Sequence, residues 1–253
     1  MALFTGKNLI QLPVIPSTNT FALDLLSAQP VEGTVVWALD QPQGRGQKGN
    51  TWISQSGTNL TFSVIYFPKF LKVDNLFALS KLTALAVLKT LKRCLPMQDV
   101  QIKWPNDLLI NGQKVGGILI ENQLERAMVK SAVIGIGLNV NQAEFPEELS
   151  SKATSMVAWA DQPFDLFKVL EILWDELEAQ YLQLKAGKVD HLNREYLAHL
   201  FGYQETVWVK IGDQTTQAMM VGVDKSGRVA LEQGGKLNYY DIKEASILPE
   251  PWL

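Results

Sequence analysis

Up to about residue 140 the chain alternates short apolar runs with polar or glycine-rich breaks. From 166 to 200 the apolar positions step by three and four residues, and after 202 they step by two. In the first part, Ser17 or Thr18 is placed to cap a short helix over residues 21–26. Residues 34–39, rich in Val and Trp, read as a buried strand, and 59–67 as a second. Residues 76–92 carry Leu79, Leu82, Leu85 and Ala86 on one side, with lysines elsewhere, and predict a helix. Strands are expected at 100–104 and 108–110, then a tight turn at Asn111-Gly112, then strands at 116–121 and 132–139. Leu166, Leu170, Leu173, Leu177, Tyr181 and Leu184 predict a long helix, followed by a shorter one over about 189–200. Beyond Gly202, Val207, Val209 and Ile211 alternate. Turn signals at Gly212-Asp213, 224–227 and Gly234-Gly235 then recur about every ten residues. That change of period sets an expected domain boundary between 202 and 203, with a small β-barrel after it.

Composition changes this picture little. The chain has 253 residues with 47% hydrophobic and 19% charged, which suits a globular protein with its own core. The formal charge is −3, and the basic runs are no longer than pairs such as Lys92-Arg93, so no stripe for nucleic acid is present. The lone Cys94 cannot form an internal disulfide and reads as a small buried hydrophobe. Residues 1–8 lack a signal-peptide core, and no stretch approaches the roughly 20 apolar residues of a membrane span. A cytoplasmic location is expected. His191 and His199 have no supporting ligands nearby and read as helix-surface or packing residues.

Four segments are harder to explain as packing. Residues 44–49, Gly-Arg-Gly-Gln-Lys-Gly, fit G-x-G-x-x-G, but a strand follows rather than a helix, and Lys69 lies near where a dinucleotide fold needs an acid. A P-loop fails as well, because Asn50 and Thr51 follow the last glycine. What remains is a loop with exposed amides and two cations, Arg45 and Lys48, suited to a phosphate ester, or else a solvated glycine loop. The run Lys103-Trp104-Pro105-Asn106-Asp107-Leu108 packs chemically different residues between strands. Pro105 removes a ladder donor there, and Asp107 either orients a cation or makes an Asx turn. Lys114 precedes Gly116-Gly117 and the strand ending in Glu121, where a ligand can approach the backbone closely. Gly135 and Gly137 lead to Asn139 and read equally as strand packing.

In this order and spacing, Ser17-Thr18-Asn19, Gln41, the 44–52 loop, and residues 103–108, 114–121 and 135–139 resemble the biotin–protein ligases, over essentially the whole chain. The resemblance implies an α+β fold: a mixed-sheet, class II synthetase-like catalytic domain over 1–202 and a small SH3-like β-barrel over 203–253. It implies a two-step reaction in which biotin and ATP form biotinyl-5'-adenylate and biotin passes to a lysine of a biotin carboxyl carrier protein. Mg²⁺ is expected to be held through the ATP phosphates. By resemblance, Ser17, Thr18, Asn19, Gln41, Gly44, Arg45, Gly46, Gln47, Lys114 and Gly117 belong to biotin. Arg45, Lys48, Trp52, Asn106, Asp107 and Asn139 belong to ATP and the adenylate. Arg45, Lys114 and Asp107 are the candidate catalytic residues, Asp107 as proton acceptor or orienter.

Relatives often carry Arg where Gln47 and Asn50 stand here, which places tight retention of the adenylate in question. With Ser17-Thr18-Asn19 so near the start, no N-terminal DNA-binding domain is expected. The implied partner is the carrier domain of a biotin-dependent carboxylase, with room for a homodimer and no nucleic acid or membrane. Residues 203–253 are expected to stay clear of the ligand pocket. A lipoate–protein ligase and a non-catalytic biotin-binding module are the competing readings.

Overall fold

The computed structural model describes residues 2–249 and 252, with Lys48 described by its backbone alone. The chain begins with β1 (Leu9–Val14), α1 (Thr18–Leu25) and β2 (Thr34–Asp40). β1 and β2 pair in parallel, so α1 is the crossover that a parallel pair requires. Ser17 caps α1 through its side chain, accepting from the Thr20 amide at 3.5 Å. β1 was not expected from the sequence: Pro13 interrupts its run, and Pro is tolerated at a sheet edge, where β1 lies.

The chain continues with β3 (Leu60–Tyr66), α2 (Phe77–Cys94), β4 (Val100–Lys103), β5 (Asp107–Ile110), β6 (Gln113–Glu125) and β7 (Met128–Leu138). These seven strands form one mixed sheet in the order β1-β2-β3-β7-β6-β5-β4. Asn111 and Gly112 both take positive φ, 49° and 80°, which is the backbone of the tight β5–β6 turn. Helices α3 (Leu166–Lys185) and α4 (Val189–Ala198) follow.

Strand alternation divides the sheet into two faces. Phe62, Val64, Tyr66, Ile134, Ile136 and Leu138 point to one face and join the leucines of α2 and α3 in the main core. Val36, Ala38, Ile65 and Val133 point to the other and pack with Ala22 and Phe21 of α1 in a smaller cluster. The small cluster covers only the β1 side of this second face. The remainder is the floor of the candidate site.

A second sheet is built from β8 (Thr206–Ile211), β9 (Gln214–Val223), β10 (Val229–Gln233), β11 (Lys236–Tyr240) and β12 (Ala245–Leu248). It is antiparallel, in the order β11-β10-β9-β8-β12. Trp104 ties the two sheets together: its indole is buried and donates to Gly227 O at 2.8 Å. Among the described residues no helix is long and apolar enough to cross a membrane.

Candidate active site

Register decides which residues meet. On β3, β7 and β6, Thr61 lies opposite Gly137, and Gly137 opposite Gly117. Gly117 lies opposite Asp107 of β5, and Asp107 opposite Lys103 of β4. This row crosses the open face of the sheet. A parallel row holds Ser63, Gly135 and Leu119, and a third holds Ile65, Val133 and Glu121. Three glycines therefore remove the side chains from the middle of the face. Above it lies a cavity of about 710 Å³, within the range of small-molecule sites.

One end of the cavity is polar and uncharged. The Thr18 amide donates to Gln41 Oε1 at 2.7 Å. Asn19 is buried against the sheet and uses its whole side chain. Its Nδ2 donates to Glu121 Oε2 at 3.0 Å and Leu119 O at 3.2 Å, while its Oδ1 accepts from Ser63 Oγ at 2.6 Å. Gly135 makes room for it, since a Cβ there would sit 2.1 Å from Asn19 Oδ1.

The other end is charged. Asp107 is buried between two lysines: Lys103 Nζ reaches Oδ2 at 2.8 Å and Lys114 Nζ reaches Oδ1 at 2.6 Å. Burial alone would raise the Asp107 pKa, but the two ammonium groups outweigh it and bring it down to about 2. Lys114 is pinned through its backbone, its amide donating to Lys152 O and its carbonyl accepting from the Thr154 amide, both at 2.8 Å. Asn106 closes the corner, with Nδ2 donating to Ile118 O at 2.7 Å. Among the described residues no group of three His, Cys, Asp or Glu side chains comes together to hold a metal, and both Asp107 oxygens are already engaged. Among the described residues, then, no carboxylate cluster is built to hold Mg²⁺ through protein groups alone.

The 44–52 loop forms the roof, and part of its backbone is spent within the loop itself. It is a small hairpin, with Arg45 bridged to Thr51. The amides of Gly46, Asn50 and Trp52 are spent on Asn50 O, Gln47 O and Gly44 O. Arg45 does not point to the lysine end: its guanidinium grips Glu121 at 2.9 and 3.1 Å. The Trp52 indole packs against the glycine row, where a Cβ on Gly137 would come within 2.3 Å of it. Lys114 Nζ is 5.7 Å from the centre of that ring. Two buried polar atoms of cavity-lining residues, Trp52 Nε1 and Asn139 Oδ1, have no hydrogen-bond partner.

Ser17, Thr18, Asn19, Gln41, Arg45, Gly46, Gln47, Trp52, Asn106, Asp107, Lys114, Gly117 and Asn139 all line this cavity. Gly44 sits behind the wall, beneath the Trp52 backbone. The Lys48 side chain lies outside the described residues. Lys103, Glu121 and Ser63 carry site contacts that the sequence had given no role. The expectation that residues after 202 stay clear of the cavity does not hold. Lys210, Ser246, Ile247, Leu248 and Trp252 line it, as do Phe145, Glu148, Leu149, Lys152 and Ala153. Lys103 Nζ stands 4.1 Å from the centre of the Trp252 ring, a cation–π distance. The one sequence signal for this wall is the aromatic Trp252 just beyond the last strand.

The sequence profile of the Biotin/lipoate A/B protein ligase family matches residues 11–139. The bifunctional ligase/repressor BirA of Bacillus subtilis is 33% identical over 229 residues, covering 90% of this chain and 70% of that protein. The biotin–[acetyl-CoA-carboxylase] ligase of Mycobacterium tuberculosis is 31% identical over 238 residues, covering 91% and 86%. Among solved structures, the biotin protein ligase from Aquifex aeolicus in complex with biotin and ATP superimposes with a TM-score of 0.81 at 27% identity, covering 96% of this chain and 100% of that one.

Proposed function

The chain belongs to the biotin/lipoate A/B protein ligase family and is a biotin ligase, and from that premise we propose how it works: it joins biotin to ATP as biotinyl-5'-adenylate and passes biotin to a lysine of a carrier protein. The observation that carries the proposal is convergence. The motif segments, scattered over more than a hundred residues, line one cavity with an uncharged polar end, a glycine floor on which Asn19 and Trp52 pack, and a cationic end.

In this reading the ureido ring of biotin lies at Ser17, Thr18, Asn19 and Gln41. Gln41 Oε1 is taken by the Thr18 amide, so its Nε2 donors are left for the ureido carbonyl. The valerate tail runs beside the Trp52 indole, which covers Gly117 and Gly137, and its carboxylate ends beside Lys114. That carboxylate oxygen attacks the α-phosphorus, the bond to the β-phosphate oxygen breaks, and pyrophosphate leaves. The neutral amine of the carrier lysine then attacks the acyl carbon, the acyl C–O bond breaks, AMP leaves with the bonding electron pair, and the proton shed by the new amide nitrogen passes to solvent or to the departing phosphate. Lys114 neutralises charge between carboxylate and α-phosphate. Trp52 and Asn139 take the nucleotide, and the unpaired Asn139 Oδ1 suits an exocyclic amine donor. Asp107 acts as an orienter. A carboxylate with a pKa near 2 and both oxygens engaged is a poor proton acceptor at neutral pH. Mg²⁺ carried on the nucleotide's phosphates needs no protein ligand set.

The partner is the carrier domain of a biotin-dependent carboxylase. We divide the chain at 202/203 and take the C-terminal sheet as the small SH3-like barrel of the family. The deciding experiment incubates the protein with ATP, Mg²⁺, biotin and a biotin carboxyl carrier domain, and then measures the intact mass of the carrier. A mass gain of one biotinyl group is expected. An unmodified carrier, or equal pyrophosphate exchange with lipoate, would overturn the proposal.

A further inference from the structure

Glu121 belongs to none of the roles above, yet it touches both the roof and the polar end. It stands on the cavity face of β6, opposite Val133. Its Oε1 accepts from Arg45 Nη2 at 2.9 Å, and its Oε2 from Arg45 Nη1 at 3.1 Å and Asn19 Nδ2 at 3.0 Å. One carboxylate thus holds the hairpin and the first turn of α1 at once. We propose that Glu121 is a positioning residue: it latches the Arg45 hairpin shut over the cavity and, through Asn19, sets the direction of the hydroxyls facing the ureido end of biotin. This rests on the reading of the cavity as a biotin site.

The second half of the proposal follows from counting protons. Both amide hydrogens of Asn19 are committed, one to Glu121 and one to Leu119 O. Its Oδ1 must then face Ser63, which lies 2.6 Å away. An amide oxygen only accepts, so Ser63 turns its proton toward it. Ser63 Oγ is also the donor toward Thr18 Oγ1, 2.8 Å away, so its one proton is shared between two acceptors and the Thr18 hydroxyl keeps its own proton for the cavity. Thr18 thus offers a donor to the ureido carbonyl of biotin. Without the Glu121 acceptor, the Asn19 amide is free to turn over, and Ser63 and Thr18 lose the orientation that it sets.

The first half concerns charge. Lys103, Lys114, Lys152 and Lys210 already line the cavity, and a further free cation on the roof would repel them. Paired with Glu121, Arg45 closes the roof without adding net charge. Its side chain is 46% exposed and that of Glu121 26%, so the latch is partly screened by water and salt.

The test compares Glu121→Gln and Glu121→Ala with the parent. A Gln can still accept from Asn19 but cannot pair with Arg45. The expected result for Glu121→Gln is biotin affinity close to the parent, with biotinyl-adenylate leaving about 2- to 5-fold faster at low salt, as for a partly exposed ion pair. That difference should vanish at high salt. Glu121→Ala should also lose about 10-fold in biotin affinity, because a buried amide is left unpaired. A low-salt off-rate in Glu121→Gln equal to the parent's overturns the latch. Equal biotin affinity in parent and Glu121→Ala overturns the orienting role. Equal loss of affinity in both variants also overturns the orienting role, since the conservative change would then have rescued nothing. A parent that binds no biotin overturns the functional reading first.

Discussion

Adding a single methyl group at Gly135 should damage the site more than its size suggests. A Cβ there would lie 2.1 Å from Asn19 Oδ1 and 2.9 Å from its Cγ, so one side must move by more than an ångström. β7 is paired on both sides, to β3 and β6, and cannot give way. Asn19 and the start of α1 must retreat, stretching the bonds to Ser63 at 2.6 Å, Glu121 at 3.0 Å and Leu119 O at 3.2 Å. Overpacking costs roughly 1–3 kcal/mol, and the lost bonds add about 1 kcal/mol each. A small entropic gain from replacing Gly in a strand offsets about 0.5–1 kcal/mol. Gly135→Ala should therefore destabilise by about 3–5 kcal/mol, a large part of typical domain stability.

The clash has a diagnostic consequence in urea unfolding. Asn19→Ala alone should cost about 2–3 kcal/mol through its lost bonds. With Asn19 already removed, the new methyl meets no Oδ1, so adding Gly135→Ala to Asn19→Ala should cost under about 1 kcal/mol. The cycle would then show a coupling of roughly 2–4 kcal/mol. Additive costs for the two changes would refute the reasoning and place the sensitivity of Gly135 elsewhere in the strand.

Four further outcomes are expected. Lys114→Ala should abolish adenylate formation in a pyrophosphate-exchange assay, with a melting temperature close to that of the parent; unchanged kcat/KM would remove its assigned role. Adding biotin and ATP should shift the Trp252 indole and Lys210 amide resonances, since both residues line the cavity; an unmoved C-terminal segment would show that the ligands stop short of that wall. Burial lowers the Lys81 pKa to about 8, against the pull of Asp224. Its proton therefore leaves the folded state before the unfolded one, and stability should rise by about 2 kcal/mol between pH 8 and 10. Urea midpoints for Lys81→Met should lose that rise. Gln47 lines the cavity, so Gln47→Arg, which adds a cation there, should slow adenylate release in a stopped-flow chase at matched salt, and an unchanged rate would show that this position does not hold the phosphate.

Much of the frame was legible in local pattern. The α2 helix, expected over 76–92, spans Phe77–Cys94, and the Asn111-Gly112 turn joins β5 to β6 as its residues require. β6 extends to Glu125, beyond the expected 121, because Asn122–Glu125 continue pairing with β7 as a solvent-facing ribbon in which apolar alternation is not needed. The site was legible as a set of unusual residues but not as an arrangement. The Arg45–Glu121 pair joins positions 76 apart in sequence, and the Asn19–Glu121 bond positions 102 apart. No local period carries such information. The C-terminal wall was misjudged for the same reason: nothing in the local pattern of Ser246, Ile247 and Leu248 tells that β12 lies at the cavity.

Lys114 shows how a local irregularity completes the arrangement. Asp107 pairs with Gly117 and Leu108 with Gly116, but Leu109 then pairs with Lys114, so β6 carries one extra residue, Val115. In an unbroken strand Lys114 would point to the same side as Gly116, into the core, and Val115 would face the cavity. The bulge reverses both. Val115 is fully buried in the main core, and Lys114 turns onto the face that holds Asp107, 2.6 Å from its carboxylate. Bulges re-aim side chains in this way beside functional sites. The twin glycines at 116 and 117 thus have separate reasons. Gly117 clears the floor beneath Trp52, while a Cβ on Gly116 would lie 3.0 Å from Gly137 O, on the opposite side of the sheet. The lysine beside two glycines that stands out in the sequence is therefore a bulge that delivers a cation to the cavity, with a cleared floor next to it.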